Sequence, residues 1–246
     1  MEISLVCIAK NEDNYIDEWI DYHLKLGFDY IFIYQNDWRY ISEKENPRVI
    51  KLTCDGNSNN FSLQHTVYNH FVQNSIGYTD WAMFMDVDEF LVLKKHNSIK
   101  EFIEQYKDLN AIGINWFLYG DNNLQDYDES RGVLKRFTKR QKQVNHHIKS
   151  IIKLLPNTVM GTHDIQNEHW YDTNRNKHIG PFNPDGPTDV ACINHYFCKT
   201  FPEFKNKVAR GRADCNQFWK LSEFEDHNFN EVEDLDAYNY MYVDNK

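Results

Sequence analysis

Apolar positions in this chain fall into short continuous runs, separated by segments with helical spacing. Ile3-Ser-Leu-Val-Cys-Ile8 is the first run, and an uninterrupted apolar stretch of that length reads as a strand buried on both faces. It ends in Ala9-Lys10-Asn11-Glu12, a strand-to-helix turn. Ile16, Trp19, Ile20 and Leu24 then recur one helical turn apart, and Gly27 supplies a stop. Residues 29–35 and 48–53 read as the next two strands, ending at Asn36-Asp37 and Asp55-Gly56. A second helix is predicted over residues 61–75, with Val67, Tyr68, Phe71 and Val72 on one face. Strand, helix, strand, strand, helix, strand within the first ninety or so residues predicts an α/β unit with a mostly parallel sheet.

The next run carries the chemistry. Trp81-Ala-Met-Phe-Met85 dives into a core, stops at Asp86-Val-Asp88-Glu89, and resumes as Phe90-Leu-Val-Leu93. Buried charge is costly unless it is paired or metal-bound, so acids that interrupt one apolar run ask for a ligand. An EF-hand is a poor match, because its glycine position falls on Leu91 and its bidentate glutamate on Asn97. Beyond this, Ser98 to Glu101 is a capping box opening a short helix. Residues 111–117, 132–137, 149–155 and 190–197 read as strands, the last broken by Asn194-His195. Residues 167–188, with Gly180-Pro181 and Pro184-Asp-Gly-Pro187, read as a long irregular loop of the kind that often forms a lid. Thr200-Phe-Pro-Glu203 caps a basic helix with Lys205, Lys207, Arg210 and Arg212, and the acidic, aromatic tail begins at Glu231.

Composition narrows the function. The chain has 246 residues, 41% apolar and 15% aromatic, enough for one sizeable core. Lys and Arg number 27 against 37 Asp and Glu, a net charge of −10, which argues against nucleic acid as a partner. Five cysteines without a Cys-x-x-Cys pair point to reduced thiols in a cytoplasmic setting rather than to zinc or disulfides. No signal peptide and no run of about 18 apolar residues is evident, so membrane association is expected only as peripheral contact at the inner face. The basic segment from Lys135 to Lys149 reads as a solvated face, or as a surface turned to phosphates. The Gly-rich signatures of dinucleotide and P-loop folds are absent.

In open α/β sheets, ligands bind outside the carboxyl ends of strands. Asp86 and Asp88, with His195 from a later strand, are therefore candidate ligands for Mn²⁺ or Mg²⁺. Lys207 and Arg210 are candidates for phosphates that the metal leaves unneutralised. Read alone, His195 is also compatible with a packed core histidine, and Trp116 with core filling as well as with stacking on a ligand ring.

Several short segments, in order, carry a resemblance: Cys7 through Glu12, Asp17-Glu18-Trp19 to His23, Trp81 through Leu93, Asn115-Trp116-Phe117 with Gly120, Lys149-Ser-Ile, Asn194-His195-Tyr196, Phe204 to Lys207, and Arg210-Gly211. Together the chain resembles the family 92-type glycosyltransferases, a DUF23-related, family 2-like group of GT-A fold. The resemblance, which covers about residues 3–212, implies a Rossmann-like, mixed but mostly parallel sheet flanked by helices; a short helical C-terminal extension is expected beyond it. The resemblance also implies a single domain with a nucleotide-binding half (1–95) and an acceptor half (96–200), ahead of an expected C-terminal helical segment (201–246). It further implies an inverting hexosyltransferase that moves a sugar such as galactose from a UDP-sugar to a glycan or lipid-linked saccharide. The donor would be bordered by Ala9, Lys10, Asn11, Glu12, one of Asn36 and Asp37, Asp86, Val87, Asp88, Lys149, Lys207 and Arg210. Trp116, Gly120 and Asp121 would meet the acceptor. The base that deprotonates the acceptor hydroxyl is unnamed by any motif. Asp121 is the first candidate, with Glu89 and His163 behind it, although Asp121 equally suits a turn in Gly-Asp-Asn-Asn. Two other functions stay open: a metal-dependent phosphohydrolase using Asp86 or Asp88, and a non-catalytic carbohydrate-binding protein.

Overall fold

The computed structural model describes residues 1–36, 45–54, 62–128, 132–213, 215 and 217–243. The first half runs β1 (Ile3–Ala9), α1 (Ile16–Lys25), β2 (Tyr30–Gln35), β3 (Val49–Thr53), α2 (Leu63–Ser75), β4 (Trp81–Phe84), β5 (Glu89–Leu93), α3 (Ile99–Tyr106) and β6 (Ala111–Leu118). It continues through α4 (Val133–Arg136), β7 (Lys139–Arg140), β8 (Asn145–Lys153), β9 (Trp170–Tyr171), β10 (Lys177–His178) and β11 (Ala191–His195). The last elements are α5 (Phe201–Arg210), α6 (Glu223–His227), β12 (Val232–Glu233) and α7 (Asp236–Tyr242).

The main sheet has the order β10-β9-β6-β8-β4-β1-β2-β3, with β11 joining β6 and β5 joining β11. Its centre, β4-β1-β2-β3, is parallel throughout. All seven residues of β1 are buried, because apolar clusters pack on both faces of the sheet. This is the physical origin of the unbroken apolar run. The fold is the mixed, mostly parallel, Rossmann-like α/β architecture expected.

Topology decides where the acids go. β1 pairs with β4 from Ile3↔Trp81 to Val6↔Phe84 and with β2 through Ala9↔Gln35, so the carboxyl ends of these strands lie together. The chain leaves β4 through Asp86-Val87-Asp88 and enters β5, which runs antiparallel to β11 with Glu89 opposite His195. The backbone N–H of Tyr196 donates to the Asp88 carbonyl (2.8 Å). Two acids and a histidine more than a hundred residues apart are thereby brought to one ledge.

Three expectations need correction. The strand predicted over residues 132–137 is instead the one-turn helix α4. Its cap comes from outside the segment: the Glu18 carboxylate of α1 accepts from the N–H groups of Val133 (2.5 Å) and Leu134 (3.4 Å), a stand-in for a local N-cap that no nearby residue betrays. The basic helix ends at Arg210, and Arg212 lies beyond Gly211, whose φ is +75°. The loop over residues 167–188 is tied down. It contributes β9 and β10 to the sheet, and Asn183 donates to the His146 carbonyl (2.7 Å).

The sheet is tightly packed at Gly113 of β6. A Cβ there would stand 2.4 Å from the Trp170 ring, and that ring is fully buried. Gly113→Ala is expected to cost about 1–3 kcal/mol by overpacking, read as a fall in the midpoint of urea unfolding; an unchanged midpoint would mean that the indole can shift freely.

Candidate active site

A cavity of about 370 Å³ opens at the carboxyl ends of β1 and β4. Glu12, Asp86, Val87, Trp116, His147, His163 and Arg210 line it, together with Trp219 and His227 of the C-terminal segment.

Each acid on the ledge is matched to a cation. Asp86 accepts from the Gln64 amide through Oδ1 (2.8 Å) and from Lys149 Nζ through Oδ2 (2.9 Å). Lys149, fully buried, also lies 3.7 Å from Glu89. Burial alone would lower its pKa, but Asp86 and Glu89 outweigh that and raise it. Glu89 is fully buried too; its Oε2 accepts from the Asp86 N–H (2.9 Å), and burial, opposed by Lys149, lifts its carboxyl well above the usual range.

Asp88 is the most heavily countered. Lys207 donates to its Oδ2 at 2.7 Å, Lys199 lies 3.9 Å from the same oxygen, and His195 Nε2 is 3.4 Å from Oδ1. Burial pushes the carboxyl up, yet Lys207, His195 and Lys199 together hold it well below the ordinary range. Burial in turn lowers His195, and Asp88 only partly offsets this. Arg210 closes the rim. It donates to the carbonyls of Lys10 and Asn11 and pairs with Glu12, across a turn in which Asn11 adopts a φ of +49°.

Most of the residues singled out from sequence therefore converge: Glu12, Asp86, Val87, Asp88, His163, His195, Trp116, Lys207 and Arg210 all line the cavity, and Lys149 and Glu89 back it. Ala9 is a buried strand end. Asn36 is bound to structure, donating from its backbone to the Ala9 carbonyl and from its amide to that of Ala213 (2.7 Å). Asp37 lies outside the described residues.

Gly120 and Asp121 are not among the lining residues. A Cβ on Gly120 would meet the Phe229 carbonyl at 2.4 Å, so this glycine lets the C-terminal segment pass. Asp121 Oδ1 accepts from the Asn123 N–H (2.8 Å) and from Asn230 (2.9 Å), the turn role that its surroundings allowed. Trp116 offers no open face on one side, because His147 stacks on it at 5.0 Å with an interplanar angle of 15°. The cavity also uses residues that no motif marked, Gln64, Asn145, His147 and Trp219, and it includes Arg212 of the basic stretch; Lys199 lies behind them.

Among the described residues, no group of three or more His, Cys, Asp or Glu side chains is arranged to hold a metal. Asp86 in particular has both oxygens engaged. A smaller seat does exist. Asp88 Oδ1 and His195 Nε2 are 3.4 Å apart, while the opposite nitrogen of that ring, Nδ1, is buried without a hydrogen-bond partner. It faces an equally orphaned oxygen, Glu89 Oε1, at 4.0 Å. Metal-binding histidines use a carboxylate hydrogen-bonded to the distal nitrogen; here the two atoms make no hydrogen bond, and Asp88 and His195 are the two side chains that could donate to a divalent ion.

The class that the fold defines is a Rossmann-like α/β protein with a charged cavity at its strand ends. Residues 4–183 match the model of glycosyltransferase family 92, and the chain belongs to that family. It is similar to a glycosyltransferase family 92 protein of Ricinus communis (24% identical over 220 residues, 85% of this chain and 38% of the relative). It is also similar to one of Arabidopsis thaliana (27% over 228 residues, 85% and 37%) and one of Oryza sativa subsp. japonica (24% over 219 residues, 83% and 35%). The chain thus spans under two-fifths of the length of these relatives. A solved CMP:2-keto-3-deoxy-manno-octonic acid synthetase complexed with CTP aligns at 9% identity over 62% of this chain and 74% of its own, with a TM-score of 0.33, too distant to bear on the site. No helix among the described residues is long and apolar enough to cross a membrane.

Proposed function

We propose that this chain holds the transfer centre of a nucleotide-sugar-dependent glycosyltransferase, moving a hexose such as galactose from a UDP-sugar to a glycan or lipid-linked saccharide, with inversion. One observation carries the reading: Asp88, His195, Lys207 and Arg210 gather in a cavity at the carboxyl ends of parallel strands, where such folds bind their ligands. The departing group in this reaction is a diphosphate. Lys207 and Arg210 set positive charge beside it, and Glu12 and the carbonyls of Lys10 and Asn11 fix the arginine. Asp88 and His195 would hold Mn²⁺ or Mg²⁺, which supplies Lewis-acid stabilisation of the leaving phosphate oxygens. Lys149 keeps Asp86 and Glu89 in place beneath that seat.

The phosphohydrolase alternative draws no support from the site. Both oxygens of Asp86 accept hydrogen bonds from Gln64 and Lys149, and Asp88 is paired with Lys207, so neither offers a free nucleophile. Calorimetric titration of UDP with and without Mn²⁺ tests the proposal. Binding that needs Mn²⁺ is the expected result. Absence of binding in both conditions would remove the donor, and equal binding in both would remove the metal.

A further inference from the structure

β8 carries an irregularity beside the cavity. Asn115 of β6 faces Ile148, but the next residue, Trp116, faces Asn145. His146 and His147 are thus two extra residues thrown out of the ladder. Bulges of this sort re-aim side chains next to active sites. This one is pinned from outside: Asn183 donates to the His146 carbonyl (2.7 Å), and Ile148 donates to that of Pro181 (3.2 Å). The result is that the His147 ring lies flat on Trp116, and the edge of the same indole meets His195 with ring centroids 4.5 Å apart. One indole therefore links His147 to the Asp88–His195 seat.

The proton position on His147 follows from its partners. Asn145 Oδ1 accepts from the backbone N–H of His147 (3.0 Å). A backbone N–H can only donate, so this atom is the amide oxygen and not the nitrogen. The same oxygen lies 2.9 Å from His147 Nδ1, which must then carry the hydrogen. Nε2 is left with its lone pair, and it makes no hydrogen bond among the described residues.

We propose that His147 Nε2 accepts the proton of the acceptor hydroxyl in sugar transfer, with Asn145 as the positioning residue that fixes its tautomer; the assignment rests on the transferase reading above. As the hydroxyl oxygen bonds to the anomeric carbon, the bond from that carbon to the diphosphate oxygen breaks, and its electron pair leaves with the nucleoside diphosphate. The hydroxyl proton passes to Nε2, and the imidazolium returns it to solvent. Burial and the neighbouring His146 lower His147 to about 4, so the ring is neutral in ordinary buffers. A weak base suffices, because an oxygen already bonded to the sugar carbon is far more acidic than a free alcohol.

The candidates drawn from sequence fit less well. Asp121 is committed to its turn, and Glu89 is sealed beneath Lys149. His163 shares the Nδ1–H tautomer, donating to the Ile148 carbonyl (3.2 Å), but it is more deeply buried, and burial and Lys149 lower it further, to about 2.

The test uses the full chain with UDP-galactose, UDP-glucose and UDP-N-acetylglucosamine as donors and water as acceptor, together with UDP titration. His147→Gln is expected to keep UDP affinity within about threefold while lowering UDP release by about 10²-fold or more. UDP release within about threefold of wild type, with UDP still bound, would overturn the assignment. A second arm is independent of turnover: ¹⁵N NMR of the histidine side chains should show His147 as the Nδ1–H tautomer in wild type and a mixture in Asn145→Ala. An Nε2–H ring in wild type would overturn it equally. Failure of wild type to bind UDP at all, by contrast, sinks the transferase reading itself.

Discussion

Asp88→Asn is expected to lower Mn²⁺-dependent sugar transfer by about 10²–10³-fold or more, the scale on which removing one preorganised electrostatic group slows an enzyme. The asparagine oxygen can still accept from Lys207, which now donates at 2.7 Å, so the fold should persist and far-UV circular dichroism should match wild type. What is lost is the negative charge between His195 on one side and Lys207 and Lys199 on the other. A divalent ion then has a neutral donor beside two ammonium groups, and UDP titration should show no response to Mn²⁺. Retained Mn²⁺-dependent binding would sink the assignment of Asp88 to the metal. The same carboxyl links stability to acid. Its folded pKa lies well below the usual value, so its contribution is complete above the unfolded value of about 3.9 and fades as pH drops through the folded one. In Asp88→Asn that part of the acid sensitivity should be missing.

The largest stability effect is expected at Glu203→Gln. Arg136 and Glu203 form a two-pronged pair, Nη1 to Oε2 at 2.8 Å and Nη2 to Oε1 at 2.9 Å, with side-chain exposures of 2% and 3%. Glu203 also accepts from the Thr200 N–H (3.0 Å) and hydroxyl (2.6 Å) and from the Tyr15 hydroxyl (2.9 Å). Neutralising it takes the buried carboxylate away from the Arg136 guanidinium, and breaking such a pair costs about 3–5 kcal/mol. For a chain of this size that is roughly 6–20 °C in melting temperature. Arg136→Met combined with Glu203→Leu should recover part of the loss, because two apolar groups leave no stranded charge. A single variant that melts with wild type would show the pair to be decorative. The effect reaches the cavity as well, since α5, whose start Glu203 caps, carries Lys207 and Arg210.

How far the sequence could be read depended on whether its signals were local. The buried runs of β1, β4, β5 and β11, the Ser98 N-cap and the box at Thr200 are patterns within a few residues, and they are where expected; at Ser98 the Glu101 carboxylate closes on the Asn97 N–H instead of that of Ser98. Asp86, Asp88, His195, Lys207 and Arg210 were legible because charge inside apolar runs, or on a basic helix face, has few explanations. What stayed hidden depends on contacts made far away. α4 is helical because Glu18, over a hundred residues earlier, caps it. His147 is turned onto Trp116 by a bulge that the segment around Asn183 pins. Lys199 reads as one more surface lysine, yet it is buried beside Asp88. Asp121 had the right chemistry and neighbourhood, and only the partners of its carboxylate show that a turn has claimed it.

The pairing of Glu12 with Arg210, 198 residues apart, and of Asp88 with Lys207, 119 apart, sets an order of events during synthesis. The acids emerge first, on the half of the chain that holds β1 to β5, and their cations come last. At roughly 5–20 residues per second, the ribosome leaves Asp88 without Lys207 for some seconds, with the N-terminal strands already able to pair. For that interval Asp88 and Glu12, at the carboxyl ends of central strands, are without these two cations. Lys207 and Arg210 reach the cavity only with α5, so a chain released before that helix would lack both cations.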